Sequence, residues 1–288
     1  MKTLYESIFD VFDDEGNITT DSSEFIKQGI IDWINENYHD CKIAFDDKKN
    51  KDGKYIVNSI NNVMIKNIDL EHLTNGQFVW GIVKGLFDCS ESKIQSLEGA
   101  PEKVGQSFDC SDCKSLKSLK GVPKEVGWSF YCSNCDSLES LEGAPEKIGG
   151  DFECNGCKKL KSLEGAPKEV RGHFFCYKCN SLKSLEGAPK KVGQYFVCRN
   201  CDSLESLEGA PEKVGKIFYC NNCKSLKSLK GAPREVGGDF YCDYCYSLES
   251  LEGAPEKVGG DFGCKRCNTN FTEEDVKSVS NVKGKIIL

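Results

Sequence analysis

The sequence predicts an α+β protein that is mostly a parallel-β solenoid, with a helical and β cap at the N-terminal end and a short helix–strand cap at the C-terminal end. Two observations predict the solenoid. Phenylalanine recurs every 22 residues from Phe108 to Phe262, and Phe87 opens an imperfect copy one residue short. No segment within a repeat is long or periodic enough for a helix. Self-similarity at such a period is the signature of stacked repeats, each of which buries its apolar face only against its neighbours.

Each repeat, or rung, reads F-x-C-x-x-C-x-S-L-x-S-L-x-G-A-P-x-x-V-G-x-x, as in the copy FYCSNCDSLESLEGAPEKIGGD at 130–151. Phe and the first Cys alternate with polar or varied residues, which is the period of a strand with one buried face. Gly before the strand and Gly-Ala-Pro after it supply turns. We therefore predict one short strand in each rung.

This unit resembles the leucine-rich repeat, whose rungs are about 20–29 residues long. In that alignment Phe130 and Cys132 stand at the strand leucines, Cys135 at the Asn/Cys position and Leu138 at the next leucine. The return arm is similar to the SLEGAPxxVGG arms of repeat proteins from phages and gut bacteria. The resemblance covers roughly 87–288 and implies a solenoid that binds other macromolecules. It departs from the family in its strand Phe and Cys residues, and in a Val four rather than three residues before Phe.

Charge alternates from rung to rung at equivalent positions. After the proline, acidic and basic residues follow one another from Glu102 to Glu256. Neighbouring strands lie about 4.8 Å apart, where opposite charges attract, so the alternation predicts rungs stacked in register. The alternation breaks once, where three pairs of lysines stand at equivalent positions of adjacent rungs: Lys161 with Lys183, Lys168 with Lys190, and Lys191 with Lys213. The loss of one repeat during duplication explains this break more simply than a basic site for an acidic partner does.

The ends of the chain predict caps for the apolar ends of the stack. Helical periodicity indicates helices around Leu4–Phe12 and Phe25–Ile34, followed by strands at 42–45 and 55–57. Thr272 with Asp275 predicts a capping box that opens a short helix, and 285–288 should be a last strand. The predicted segments are a capping domain at 1–62, a degenerate rung at 63–86 that uses Val63, Ile65, Leu70 and Leu73, regular rungs at 87–270, and a C-terminal cap at 271–288.

Eight C-x-x-C pairs, each separated from the next by 18 residues, carry the strongest chemical signal. This spacing is typical of zinc knuckles, so Cys110, Cys113, Cys132 and Cys135 form an alternative metal site. In a solenoid the same residues form two columns in the core, and free Cys is a small, commonly buried apolar residue. Cys89 has Ser92 in place of a partner, which suits a column better than a metal pair. We therefore predict buried thiol columns and no metal or cofactor, with zinc or disulfides as alternatives.

The residues at −1, +1 and +3 around each Phe vary most between rungs, and strand parity turns them away from the core. Most rungs carry small or acidic residues there, whereas the central rungs carry aromatic residues and an arginine. Exposed aromatic residues with Arg are typical of binding hot spots, although cross-strand packing also explains them. The predicted partner-binding residues are His173, Phe175, Tyr177, Tyr195, Val197, Arg199, Ile217, Tyr219 and Tyr241.

Composition and charge narrow the functional classes. The net charge is −7, and Lys and Glu alternate without a basic cluster, which argues against nucleic acid. No apolar run approaches the ~20 residues that cross a membrane, and no secretion signal is visible, so we expect a cytoplasmic protein, in a bacterial host if it is phage-encoded. His39, His72 and His173 share no neighbourhood that suggests catalysis. The sequence therefore predicts a non-enzymatic module that binds a protein, or less simply a glycan. The alternatives are a zinc protein and a structural or virion-associated spacer.

Overall fold

The computed structural model describes residues 22–38, 41–64, 74 and 76–288. The predicted helix at Leu4–Phe12, and Ile65, Leu70 and Leu73 of the degenerate rung, lie outside these residues. Helix α1 spans Ser22–Asn37 and helix α2 spans Glu273–Val279. The strands of the N-terminal region are β1 Ile43–Lys49, β2 Tyr55–Ser59, β3 Val63–Met64 and β4 Phe78–Val83.

One strand of every rung joins a parallel sheet, called here the Phe sheet, which has 11 strands within the described residues. Phe pairs with Phe between adjacent rungs, as in Phe174 with Phe196, so the stack is in register as the charge alternation predicted. The sheet begins at β3, where Val63 stands opposite Phe87. Its other strands are β5 Phe87–Asp88, β7 Phe108–Asp109, β9 Phe130–Tyr131, β11 Phe152–Glu153, β13 Phe174–Phe175, β15 Phe196–Val197, β17 Phe218–Tyr219, β19 Phe240–Tyr241, β21 Phe262–Gly263 and β23 Ile286–Ile287.

Each rung also contains a second strand, which the sequence did not predict, ending at the Val that lies four residues before Phe. These strands form the Val sheet, which is divided into a part ending at Ile148 and a part beginning at Glu169. Two residues are too few to show a period, so this strand has no signal in the pattern. The regular strands are β6 Lys103–Val104, β8 Glu125–Val126, β10 Lys147–Ile148, β12 Glu169–Val170, β14 Lys191–Val192, β16 Lys213–Val214, β18 Glu235–Val236, β20 Lys257–Val258 and β22 Asn281–Val282.

The core consists of columns of identical residues that run the length of the stack. The Phe rings from Phe87 to Phe262 are fully buried, and neighbouring rings stand 5.1–5.5 Å apart between centroids. The two Leu residues of each rung from Phe108 to Phe240 are buried beside them. Because each ring fills the space between its two neighbours, the rungs depend on one another for burial.

The caps continue this core at both ends. Helix α1 buries Ile30 and Ile34, and the Trp80 indole donates a hydrogen bond to the Tyr38 hydroxyl at 3.4 Å. At the other end, Thr272 and Asp275 form the predicted capping box of helix α2. The predicted last strand is present as β23, which pairs with β21.

Candidate interaction surface

The outward face of the Phe sheet holds the variable residues that the sequence singled out. Phe174 and Cys176 are fully buried, whereas Phe175 and Tyr177 between and after them lie half-buried on the opposite face. In adjacent rungs Phe175 stands opposite Val197, and Tyr219 stands opposite Tyr241. Strand parity therefore places these side chains in columns on one surface, as predicted.

The central rungs form a depression on this face, called here the aromatic groove, with a volume of about 390 Å³. Arg199 packs on the Tyr177 ring, with its guanidinium carbon 5.2 Å from the ring centroid. Tyr219 stacks on Tyr241 at 5.2 Å and 13° between ring planes, which extends the aromatic surface by one rung. The groove is lined by Phe175, Tyr177, Val197, Arg199, Tyr219 and Asn221.

His173 and Tyr195 lie at the margin of the groove rather than in its lining. The His173 ring stacks on Phe175 at 5.3 Å and tilts against Tyr195 at 4.5 Å. The Tyr195 backbone N–H donates to His173 Nδ1 at 3.3 Å, so this nitrogen carries no proton in that arrangement. Ile217 is half-buried in the same row and does not line the groove. Most of the predicted partner-binding residues therefore line or extend the groove, whereas His173, Tyr195 and Ile217 form a row beside it.

Asn221 lines the groove and was not among the predicted binding residues. Its Nδ2 group donates to Asp243 at 3.1 Å, whereas its Oδ1 atom is shielded from solvent and has no hydrogen-bond partner among the described residues. Asn221 occupies the same +3 position as Tyr177 and Arg199, so its place in the rung was the signal that could have identified it. An amide adds a directional polar group to a mostly aromatic surface.

Carboxylates flank the aromatic groove on both sides along the stack. Burial, and then the charge of Asp151, raise the pKa of the Glu153 carboxyl on the side of the early rungs. Burial and the charge of Asp239 likewise raise the pKa of the Tyr219 and Tyr241 hydroxyls on the other side. The groove is therefore an aromatic centre with one arginine between two acidic margins.

All 18 cysteines are free thiols, and all but Cys41 form two columns inside the stack. The first Cys of each pair ends the strand, and no backbone N–H in the described rungs donates to its carbonyl. That carbonyl instead accepts a hydrogen bond from the second Cys of the next rung, as in Cys201 Sγ to the Cys176 oxygen at 3.3 Å. The same contact recurs at 3.1–3.3 Å along the column, so the second thiol completes the hydrogen bonding where the backbone turns away.

Burial strongly disfavours the thiolate form within these columns. Desolvation raises the pKa of the Cys176 and Cys198 thiols well above their ordinary value, and it raises the pKa of Cys264 to about 12. Cys267 differs, because a hydrogen bond from the Cys242 thiol lowers its pKa. In the part of the chain that the structure describes, no group of three or more His, Cys, Asp or Glu side chains has the geometry to hold a metal ion. Cys110, Cys113, Cys132 and Cys135 thus occupy the core columns.

These features define the protein as a parallel β-solenoid of 22-residue rungs with buried thiol columns and an aromatic outer surface. Comparison with known protein families, with curated proteins and with solved structures found no match. Among the described residues, neither helix is long and apolar enough to cross a membrane.

Proposed function

We propose that this chain is a non-catalytic binding module that holds a protein partner in the aromatic groove. The observation that carries the proposal is the coincidence of the groove with the rungs whose outward residues are large. The rung of Phe108 presents Ser107, Asp109 and Ser111 at the same positions, so the fold itself does not require aromatic residues there. The solenoid supplies a rigid support, and the central rungs supply the contact.

The groove has the composition of a protein-binding hot spot. Tyr and Arg are enriched in such sites, which combine a desolvated apolar centre with a polar rim. Stacking already holds Tyr219 against Tyr241, and Arg199 against Tyr177, so these side chains lose little freedom when a partner binds. We therefore expect an apolar or aromatic side chain of the partner to enter the groove.

The margins of the groove favour a protein over a nucleic acid. Glu153 and Asp243 would repel phosphates on either side of the aromatic centre. A glycan is the competing ligand, because aromatic rings also pack on sugars. Free buried thiols suit a reducing compartment, which agrees with our proposal of a cytoplasmic protein. The resemblance of the return arms to phage and gut-bacterial repeat proteins would place that cytoplasm in a bacterium.

The test compares two tyrosine variants at the same position of different rungs. Tyr219→Ala removes a wall of the groove, whereas Tyr131→Ala removes an equivalent half-buried tyrosine outside it. Affinity capture from cell extract with quantitative mass spectrometry should recover a partner that Tyr219→Ala and Phe175→Ala lose at least ~10-fold, since hot-spot truncations cost about 2 kcal/mol or more. Tyr131→Ala should recover it at the wild-type level.

Equal recovery by all three variants would refute the groove as the binding site and favour a spacer role. Binding of the wild-type protein to a glycan array, lost in Tyr219→Ala, would assign the groove to a sugar instead. Matching thermal unfolding midpoints would establish that a lost interaction does not reflect a damaged fold.

A further inference from the structure

The Val sheet is interrupted at one rung, and the interruption coincides with a change in sequence. In the described rungs, the residue after Val donates its backbone N–H to the Val carbonyl of the preceding rung at 2.8–3.2 Å, as Gly149 does to Val126 and Gly193 to Val170. Arg171 makes no such bond to Ile148. Arg171 is also the one regular rung residue at this position that is not Gly.

The side chain of Arg171 explains the interruption. A Cβ atom added to Gly149 or Gly193 would overlap the carbonyl oxygen of the rung before it. Arg171 carries that Cβ atom between two rungs, so the strands move apart there. Lys283 has a side chain at the same position and keeps its hydrogen bond to Val258. Lys283 belongs to the last described rung, and no described rung packs beyond it. Lys84 also keeps its hydrogen bond, to the Ser59 oxygen at 2.9 Å, beside the shift in register between β2 and β4.

The interruption lies in the same rungs as a break in charge pairing. Elsewhere the two residues after each proline are one acid and one base, whereas Lys190 and Lys191 are both basic. Lys168 stacks beside Lys190, whose backbone N–H donates to the Lys168 oxygen at 2.8 Å, and Lys191 stands opposite Lys213. Like charges at this separation repel. Two independent departures from the repeat therefore weaken the stack at the same place and on the same face.

Some of these cations are paired and some are free to bind a ligand. Glu169 pairs with Lys191 at 3.3 Å, and Glu235 pairs with Lys213 at 3.1 Å. No carboxylate in the described structure lies within ion-pair distance of Lys168, Arg171 or Lys190, all of which are exposed. At the same position of other rungs the basic residue is paired, as Lys124 is with Glu146 and Arg234 with Glu256. Lys103 and Lys257 also have no ion pair among the described residues, but each stands alone in its rung, whereas Lys168, Arg171 and Lys190 lie in two adjacent rungs.

A trough runs along this face because the Gly after each Val has no side chain. Its two sections, of about 580 and 260 Å³, meet at Glu169 and Arg171. Val170 and Val192 lie under the second section, between the basic side chains. An extended peptide with carboxylates could follow such a trough, with its acidic groups on the free cations.

We infer that the basic trough lined by Lys168, Arg171, Lys191 and Lys213, with Lys190 beside it, binds an acidic segment of a partner protein. Arg171 and the unpaired lysines are retained at a cost to the stack because they supply this charge. The apolar floor of Val170 and Val192 favours a peptide, which has apolar side chains between its carboxylates, over a polyphosphate. The inference stands on the Val sheet and does not depend on the aromatic groove.

The experiment measures binding of a fluorescein-labelled peptide in which Glu alternates with Val, by fluorescence anisotropy at low and physiological salt. The peptide in which Gln replaces Glu is the ligand control. Lys168→Ala with Lys190→Ala removes two of the three free cations, and Lys124→Ala with Arg234→Ala removes two paired cations at the same positions of other rungs. We expect the first pair to weaken binding by about tenfold and the second by less than about twofold, because only unpaired charges are available to the peptide.

Arg171→Gly gives a second measurement with the opposite effect on the fold. It should weaken binding of the Glu peptide while raising the thermal unfolding midpoint, because the bond to Ile148 can then form. Equal losses in both pairs of lysine and arginine variants, equal binding of the Gln peptide, or no binding of the Glu peptide would overturn the proposal. Stronger competition by duplex DNA than by the unlabelled Glu peptide would overturn it in favour of a polyphosphate ligand. Tyr219→Ala should leave this binding unchanged, which separates it from the aromatic groove.

Discussion

Cys176 and Cys201, one from each thiol column, are predicted to respond in opposite ways to the same pair of substitutions. Several first-column thiols, such as Cys198, donate to a carbonyl at 3.4 Å, so the comparison uses Cys176, which does not. Cys201 in the second column donates its S–H to the Cys176 carbonyl at 3.3 Å, whereas the Cys176 thiol makes no hydrogen bond in the described structure. Cys201→Ser keeps a donor for that carbonyl, and Cys201→Ala leaves a buried acceptor without a partner. Cys176→Ser instead places a hydroxyl among apolar neighbours, and Cys176→Ala removes only a sulfur atom. Alanine should therefore destabilise the fold more than serine does at Cys201, and serine should destabilise it more than alanine does at Cys176.

The expected magnitudes follow from burial, since both residues are fully buried. An unsatisfied polar group in the interior costs about 1–3 kcal/mol, and removing one small buried atom costs about 1 kcal/mol. We expect Cys201→Ala to lose about 2–4 kcal/mol, because it combines both terms, and Cys201→Ser about 1 kcal/mol. At Cys176 we expect about 1–3 kcal/mol for serine and about 1 kcal/mol for alanine.

Urea unfolding monitored by tyrosine and tryptophan fluorescence measures these differences, in reducing buffer so that oxidation does not contribute. Hydrogen exchange of the amides around Cys176 gives a local readout, which is needed because repeat stacks open rung by rung. The reasoning would be refuted if serine and alanine ranked in the same order at both positions. That result would mean that the thiols act only as apolar filling and that the contact to the carbonyl contributes nothing.

Three further predictions concern the thiols and the Phe column. Burial raises the pKa of most core thiols above 9.0, so above that pH the folded state keeps protons that the unfolded chain releases. The free energy of unfolding should therefore be full below pH 9 and fall above it by up to ~1.4 kcal/mol per pH unit for each thiol. A urea midpoint that does not change between pH 8 and about 10 would contradict this prediction. Cys267 is half-buried and has a lowered pKa, whereas burial raises the pKa of Cys245 to about 12. Iodoacetamide should therefore modify Cys267 before Cys245. Equal modification rates in peptide mapping would be inconsistent with the buried columns. Phe196→Ala removes a ring that is stacked at 5.2 Å on both sides, so the free energy of unfolding, measured by thermal unfolding, should fall by about 3–5 kcal/mol. A loss below ~1 kcal/mol would exclude a continuous Phe column.

Much of the fold could be predicted from the repeat because every rung must bury the same apolar residues against its neighbours. The 22-residue period fixed which residues stack, and charge alternation fixed the register, as the pairing of Lys161 with Glu139 shows. Strand parity placed Phe175, Tyr177 and Tyr219 on one outward face. The second strand at Val could not be predicted, since two residues carry no periodicity. Nor could the division of the Val sheet, because it depends on a clash between a side chain and a carbonyl in the rung before it.

The sequence by itself determined the architecture, the register and the location of the variable surface, because these depend on patterns that recur along the chain. Only the tertiary structure decided how the cysteines are used. The C-x-x-C spacing is equally compatible with zinc ligands and with a core, and the choice depends on where the thiols point. The structure directs each second thiol to a backbone carbonyl of the rung before it. It also showed that Asn221 joins the groove and that the Val sheet is divided at Arg171, since both features depend on contacts between rungs.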